Sequence, residues 1–266
     1  MLLMPLALLY AVMLGVPLIY VISDALNTTG SGATPFFSTV SNPTYLGVLL
    51  RTFEISTVST VVCLILGFPL AFALWRATPL VRTLLLVAVL FPYWTSVVVR
   101  AFGWQVMLKR NGFISTLLQS SGLVSSDIQL SNSRLGLYLG LVQILLPSLV
   151  LPVLATLSRL DSRLLEAAYT NGAQPVTAIR TVIVPLAMPG IVIGCLIVFA
   201  VAAGSFVIPV LLGGLGDTML AQVIAYQTAE MLNWPVAMAL SLLLILMTLI
   251  VLMLISAVGR RQAIYR

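Results

Sequence analysis

Leu186–Leu212 reads LAMPGIVIGCLIVFAVAAGSFVIPVLL, and no charged residue interrupts it. A helix rises about 1.5 Å per residue, so such a run exceeds the roughly 30 Å of a bilayer's hydrocarbon core. It shows none of the period-2 alternation of a barrel strand, so the run predicts a helical span. Five further stretches share this character: Leu2–Ile22, Val48–Leu74, Leu84–Met107, Leu135–Leu157 and Trp234–Val258. The first resembles a signal peptide but lacks a basic n-region and is longer than a usual apolar core, so it predicts a helix. Its abrupt start fits a cytoplasmic head absent from this chain. The expected fold class is therefore all-α and integral to the membrane, with six transmembrane helices in one domain over residues 1–266.

Composition excludes the soluble classes. The chain of 266 residues is 61% hydrophobic and 8% charged, and its mean hydropathy is +1.15. A soluble domain averages about 45–50% apolar and about 25% charged. Histidine is absent, which excludes imidazole acid–base chemistry, a Ser-His-Asp triad and zinc sites that need imidazole. The one lysine, Lys109, follows Leu108, so no Gly-rich phosphate loop ending in Gly-Lys exists. Any ATP used must be hydrolysed by another subunit. Cys63 and Cys195 lie in apolar runs and read as small buried hydrophobes, with no metal site expected.

Six spans put both termini on one side. Arg76, Arg82, Arg159, Arg163, Arg180, Arg260, Arg261 and Arg266 share that side; Arg51, Arg100, Lys109, Arg110 and Arg134 lie on the other. This bias predicts cytoplasmic termini. The outer Asp24–Thr44 segment, rich in Ser, Thr, Gly, Asn and Pro, reads as an exposed loop. After the Asn111-Gly112 turn, Phe113, Ile114, Leu117 and Leu118 have the spacing of a short surface helix.

One inner loop is long: Ser158–Val184, SRLDSRLLEAAYTNGAQPVTAIRTVIV. Ser158-x-x-Asp161 resembles a capping box. Arg163–Tyr169 is a run of helix formers, Asn171-Gly172 supplies a left-handed stop, and Pro175 suits the first turn of a second helix. Pro185 and Pro189 mark the start of the fifth span. The pattern predicts a helix–turn–helix knob suited to a groove on a partner. Leu164, Leu165, Ala167 and Ala168 are its expected apolar contacts, and Arg163 and Glu166 its charges. A solvated loop with an interfacial helix is the plain alternative.

Glu166-Ala167-Ala168, then Gly172, then Val182-x-Val184-Pro185 resembles the EAA motif of ABC importer permeases, E-A-A-x3-G-x9-I-x-L-P, with valine for isoleucine and for leucine. The resemblance covers about residues 45–258. Phe91-Pro92-x-Trp94, Arg100-x-x-x-Trp104, Asn111-Gly112-x-Ile114, Phe206–Gly214 and Asn233-Trp234-Pro235 are similar to the spermidine/putrescine branch. The resemblance implies a type I importer permease fold with no enzymatic activity of its own. It implies a second, non-identical permease forming the pathway, a cytoplasmic ATPase dimer carrying ATP and Mg, and a periplasmic binding protein, in a bacterial inner membrane. The loop 158–185 would be the coupling loop, with Arg163, Glu166, Ala167, Ala168, Gly172 and Ala173 as its coupling residues. No cofactor is expected in this chain.

For the pathway, Glu54 is a candidate partner of a cationic substrate, although Arg51 three residues earlier on the same helical face would neutralise it. Tyr93 and Trp94, beside Pro92 where backbone order should be interrupted, offer cation–π faces; helix packing or an interfacial belt is their alternative. Trp104 and Trp234 read as belt anchors. Arg100 reads as structural, and Asp217 and Glu230 as outer-loop carboxylates that are solvated or face the binding protein. A polyamine would use Glu54, Tyr93 and Trp94; an opine or aminophosphonate would use Arg51 or Arg100. A six-helix channel is the reading from another class, but Asn42-Pro43 has no symmetric second copy. An intramembrane protease fails for want of histidine.

Overall fold

A computed structural model describes residues 3–26, 35–110, 112–120, 130–161, 163–170 and 172–264. Within them, the side chains of 3–7, 14, 35, 118–120, 164–167 and 258–264 lie outside the description. The described residues form α1 (Leu3–Leu26), α2 (Pro35–Val40), α3 (Pro43–Arg76), α4 (Pro79–Leu90), α5 (Val97–Leu108), α6 (Phe113–Ser120), α7 (Arg134–Leu157), α8 (Arg163–Thr170), α9 (Pro175–Ala178), α10 (Val184–Ala203), α11 (Val207–Leu212), α12 (Leu220–Ala229) and α13 (Trp234–Ile264). Five of the resulting helical stretches are long and apolar enough to cross a membrane, and a bent pair makes a sixth if its two halves count as one span. The segment predicted as an outer loop contains the short helix α2, and the short helix predicted after Asn111-Gly112 is present as α6.

Two spans differ from the sequence reading. The third, expected as one crossing from Leu84 to Met107, is interrupted: the helical chain bends by 103° between Trp94 and Val97. Phe91–Trp94 is a 3-10 turn, and Thr95 is extended, with its N–H on Pro92 O. Pro92 removes one backbone donor there, so the ladder lapses where hydropathy alone sees no interruption. The fifth begins at Pro175 rather than Leu186 and ends at Ala203. It runs through Ile179–Ile183 as a π turn, in which Val184 N–H reaches Ile179 O. A proline at 185 has no N–H to give residue 181, and the wider turn absorbs that defect. The helix thus continues through Pro185 and Pro189 instead of starting at them.

α7 is the centre. It packs along α3 and α10, and α13 covers α10. Leu141, Leu145, Leu149, Val153 and Leu157 form its buried stripe, joined by Cys63, Ala71 and Leu74 from α3 and Val198 from α10. Both cysteines are free and buried, as expected. Between lipid-solvated helices close packing, more than water exclusion, supplies the attraction, so small residues mark the seams. A Cβ on Gly190 would stand 2.6 Å from Pro152 O and 2.9 Å from Val153 Cα. One on Gly194 would stand 3.2 Å from Leu149 Cα. α1 touches only α13 and α2 strongly, and its Leu8, Met13 and Ile19 are exposed, as side chains facing acyl chains would be.

Candidate coupling knob and outer site

The knob is built from the end of α7. Ser158 closes α7, its N–H on Leu154 O, and its Oγ accepts from Arg82 Nη2 of α4 at 3.0 Å. Ser158 therefore belongs to the helix before the knob and does not cap the one after it. Asp161 takes that role: its Oδ1 accepts from the Arg163 N–H at 2.9 Å, satisfying one of the donors that a helix start leaves free. Asn171 lies outside the described residues, but the stop is complete without it. Gly172 has φ +80°. Its N–H reaches Tyr169 O at 3.0 Å, and the Ala173 N–H reaches Ala168 O at 3.1 Å. This pair of bonds is a Schellman motif.

Ala168 and Ala173 are half-buried and pack back onto the chain's own core, while Arg163 and Gly172 are exposed. The knob is thus anchored at its C-terminal end. Glu166 and Ala167 lie inside α8; their side chains, with those of Leu164 and Leu165, lie outside the described residues.

The opposite end carries an ion network that the sequence did not reveal. Glu54 does not pair with Arg51. Its Oε2 is 2.8 Å from Nη2 of Arg134, the first residue of α7, and Nε of Arg134 is 3.3 Å from Asp217 Oδ1. Asp217, read as a loop carboxylate open to solvent, is 8% exposed, and its Oδ2 accepts from the Gly214 N–H at 3.1 Å. The loop after α11 is fixed again where the Leu220 N–H donates to Thr52 Oγ1 of α3 at 2.8 Å.

At the break in the third span, Tyr93 OH is hydrogen-bonded to Ser148 Oγ of α7, and the Arg100 guanidinium lies 6.0 Å from the Tyr93 ring centre. Trp94 is 81% exposed in a sequence-adjacent position. No hydrogen bond or ion pair joins Glu54 to Tyr93 or Trp94 among the described residues. Trp104 is no belt anchor: its Nε1 donates to Gln143 Oε1 of α7 at 3.4 Å, and the ring packs on the core. Trp234, half-exposed at the start of α13, fits the belt reading.

Sequence reasoning missed a recess between α11 and α12. Two adjoining cavities of about 630 and 510 Å³ share Val210, Thr218 and Gln222 as a common waist. Asn132 lines the first; Phe206, Tyr226 and Glu230 line the second. Only the fold brings these residues together, and Tyr226, between Gln222 and Gln227, carries no local signal. Among the described residues no three His, Cys, Asp or Glu gather as a metal site requires.

Residues 44–263 match the family described as the binding-protein-dependent transport system inner membrane component. The chain is 37% identical to the spermidine/putrescine transport system permease protein PotB of Haemophilus influenzae, over 81% of this chain and 76% of that one. It is 34% identical to PotB of Escherichia coli, over 78% and 76%. Among solved structures it is similar to a chain of a bacterial ABC transporter involved in the import of the acidic polysaccharide alginate. The TM-score is 0.77 at 18% identity, covering 98% of this chain and 94% of that one; at that identity the likeness speaks for the fold.

Proposed function

This chain belongs to the family of binding-protein-dependent transport system inner membrane components, and on that premise we propose that it is the polyamine-conducting permease of an importer driven by a separate ATPase. It is a transport subunit and not an enzyme. The substrate assignment rests on relatives named for spermidine and putrescine.

The observation that carries the mechanism is the capped knob. α8 ends in a Schellman turn, and the chain re-enters the membrane directly through α9, the π turn and α10. A helix held at one end and exposed at the other can seat in a groove and pass the groove's movement to a span. In our reading Glu166 meets a cation of the ATPase, and Arg163, Ala167, Ala168, Gly172 and Ala173 present or position the helix. ATP and Mg are held by the ATPase. A second permease, non-identical, completes the pathway, and a periplasmic binding protein delivers the substrate. The knob and both termini face the cytoplasm. Rocking of the helices then opens the pathway to one side at a time.

The test uses the assembled importer with its binding protein. Glu166→Ala and Gly172→Val should insert in the membrane yet lose binding-protein-stimulated ATP hydrolysis. Normal stimulation in both variants refutes the coupling assignment.

A further inference from the structure

We propose that the recess between α11 and α12 is a binding site for an ammonium group of the transported polyamine, with Glu230 as its counter-charge and Phe206 and Tyr226 as its walls. This rests on the polyamine reading above. Two of the three sequence candidates for a cation seat are engaged: Glu54 holds Arg134, and the Tyr93 ring faces Arg100, while Trp94 stands open. The recess is not so engaged. Glu230 is the only charged residue lining either cavity, and it has no ion pair among the described residues.

The position of Glu230 is not explained by the stability of α12. It is the C-cap residue, and a helix C-terminus carries the negative end of the macrodipole, so a carboxylate there is disfavoured. The turn that follows is also strained. Leu232 has φ +51°, a conformation that a leucine adopts at a cost. Met231 N–H to Tyr226 O at 3.1 Å and Asn233 N–H to Gln227 O at 2.9 Å hold it there. A strained turn fixed by two bonds thus follows an unfavourably placed carboxylate that lines an aromatic-walled cavity.

That lining suits an alkyl-ammonium chain. Ammonium groups are attracted to carboxylate and to aromatic faces. Phe206 and Tyr226 are each 44% exposed, and Val210 50%, so methylenes find apolar surface beside the charge. Thr218, at the waist, is a hydroxyl residue that lines both cavities.

The experiment reconstitutes the complete importer in proteoliposomes with saturating loaded binding protein and labelled spermidine. Glu230→Gln should lower uptake about fivefold, Tyr226→Ala by a similar factor, and Glu230→Asp should retain most of it. Unchanged uptake in Glu230→Gln overturns the site. A second measurement covers a variant that fails to assemble. Thr218→Cys in the otherwise unaltered chain is labelled with a water-soluble thiol reagent, since Cys63 and Cys195 are buried. Spermidine should slow that labelling, and labelling indifferent to spermidine overturns the proposal. Should the wild-type importer fail to take up spermidine while labelling is still protected, the transport reading falls and the site stands.

Discussion

Replacing Gly172 tests the knob with little structural ambiguity. Its φ is +80°, and a Cβ added there would meet no atom within 4 Å. A substitution therefore incurs the left-handed backbone penalty alone, with no clash to confuse it. That penalty is about 1–2 kcal/mol for an ordinary L-residue, and asparagine tolerates the conformation better than alanine. A β-branched residue resists it most. If the Schellman turn is what presents α8, the docking-competent population falls about five- to thirtyfold for Gly172→Ala at about 1.4 kcal/mol per factor of ten. The expected order of stimulated ATP hydrolysis is Gly, then Asn, then Ala, then Val. Steady-state hydrolysis by the reconstituted importer, with loaded binding protein present and absent, measures it. Alanine equal to glycine, or asparagine worse than alanine, would refute the argument, because neither ordering can arise from a backbone penalty.

Two further outcomes follow from the packing and the ion network. Gly190→Ala places a methyl group 2.6 Å from the Pro152 carbonyl oxygen; the α7–α10 seam should open at a cost of about 1–3 kcal/mol, read as a lower unfolding midpoint in detergent. In double-mutant cycles, Arg134→Gln with Asp217→Asn should show greater coupling than Arg134→Gln with Glu54→Gln. Asp217 is shielded whereas Glu54 and Arg134 are about half exposed, so the Glu54 pair should be worth less than about 1 kcal/mol. Equal couplings, or a greater one for Glu54, would show that burial does not set their strength.

What the sequence disclosed followed from locality. An uninterrupted apolar run predicts a span whatever surrounds it, and Asn171-Gly172 after a run of helix formers predicts a stop from backbone preference alone. Even the break beside Pro92 was legible, because a missing donor is a local defect. Its angle was not, since hydropathy is blind to direction. The limits of the fifth span were misjudged for a related reason: the polar Pro175–Thr181 segment is helical because α10 continues it, and Gly204–Phe206 interrupts a run that is apolar throughout. Glu54 illustrates the harder case. Arg51 is its neighbour on the helix, yet its partner lies eighty positions along the chain, and nothing in either residue's surroundings in sequence announces the other. The recess walls come from residues 131–132, 206–218 and 222–230, stretches that only the fold brings together.

The unbroken stretch from Pro175 to Ala203 has a mechanical consequence. Its 29 residues make a beam of about 43 Å at 1.5 Å per residue. One tip begins three residues past Gly172, and the other stops three residues short of Phe206. A tilt of about 5° about the midpoint of such a beam displaces each tip by roughly 2 Å, in opposite directions. On the coupling reading proposed above, a push received at the knob would be delivered at the far tip as a stroke of comparable size, without any chain of side-chain rearrangements in between.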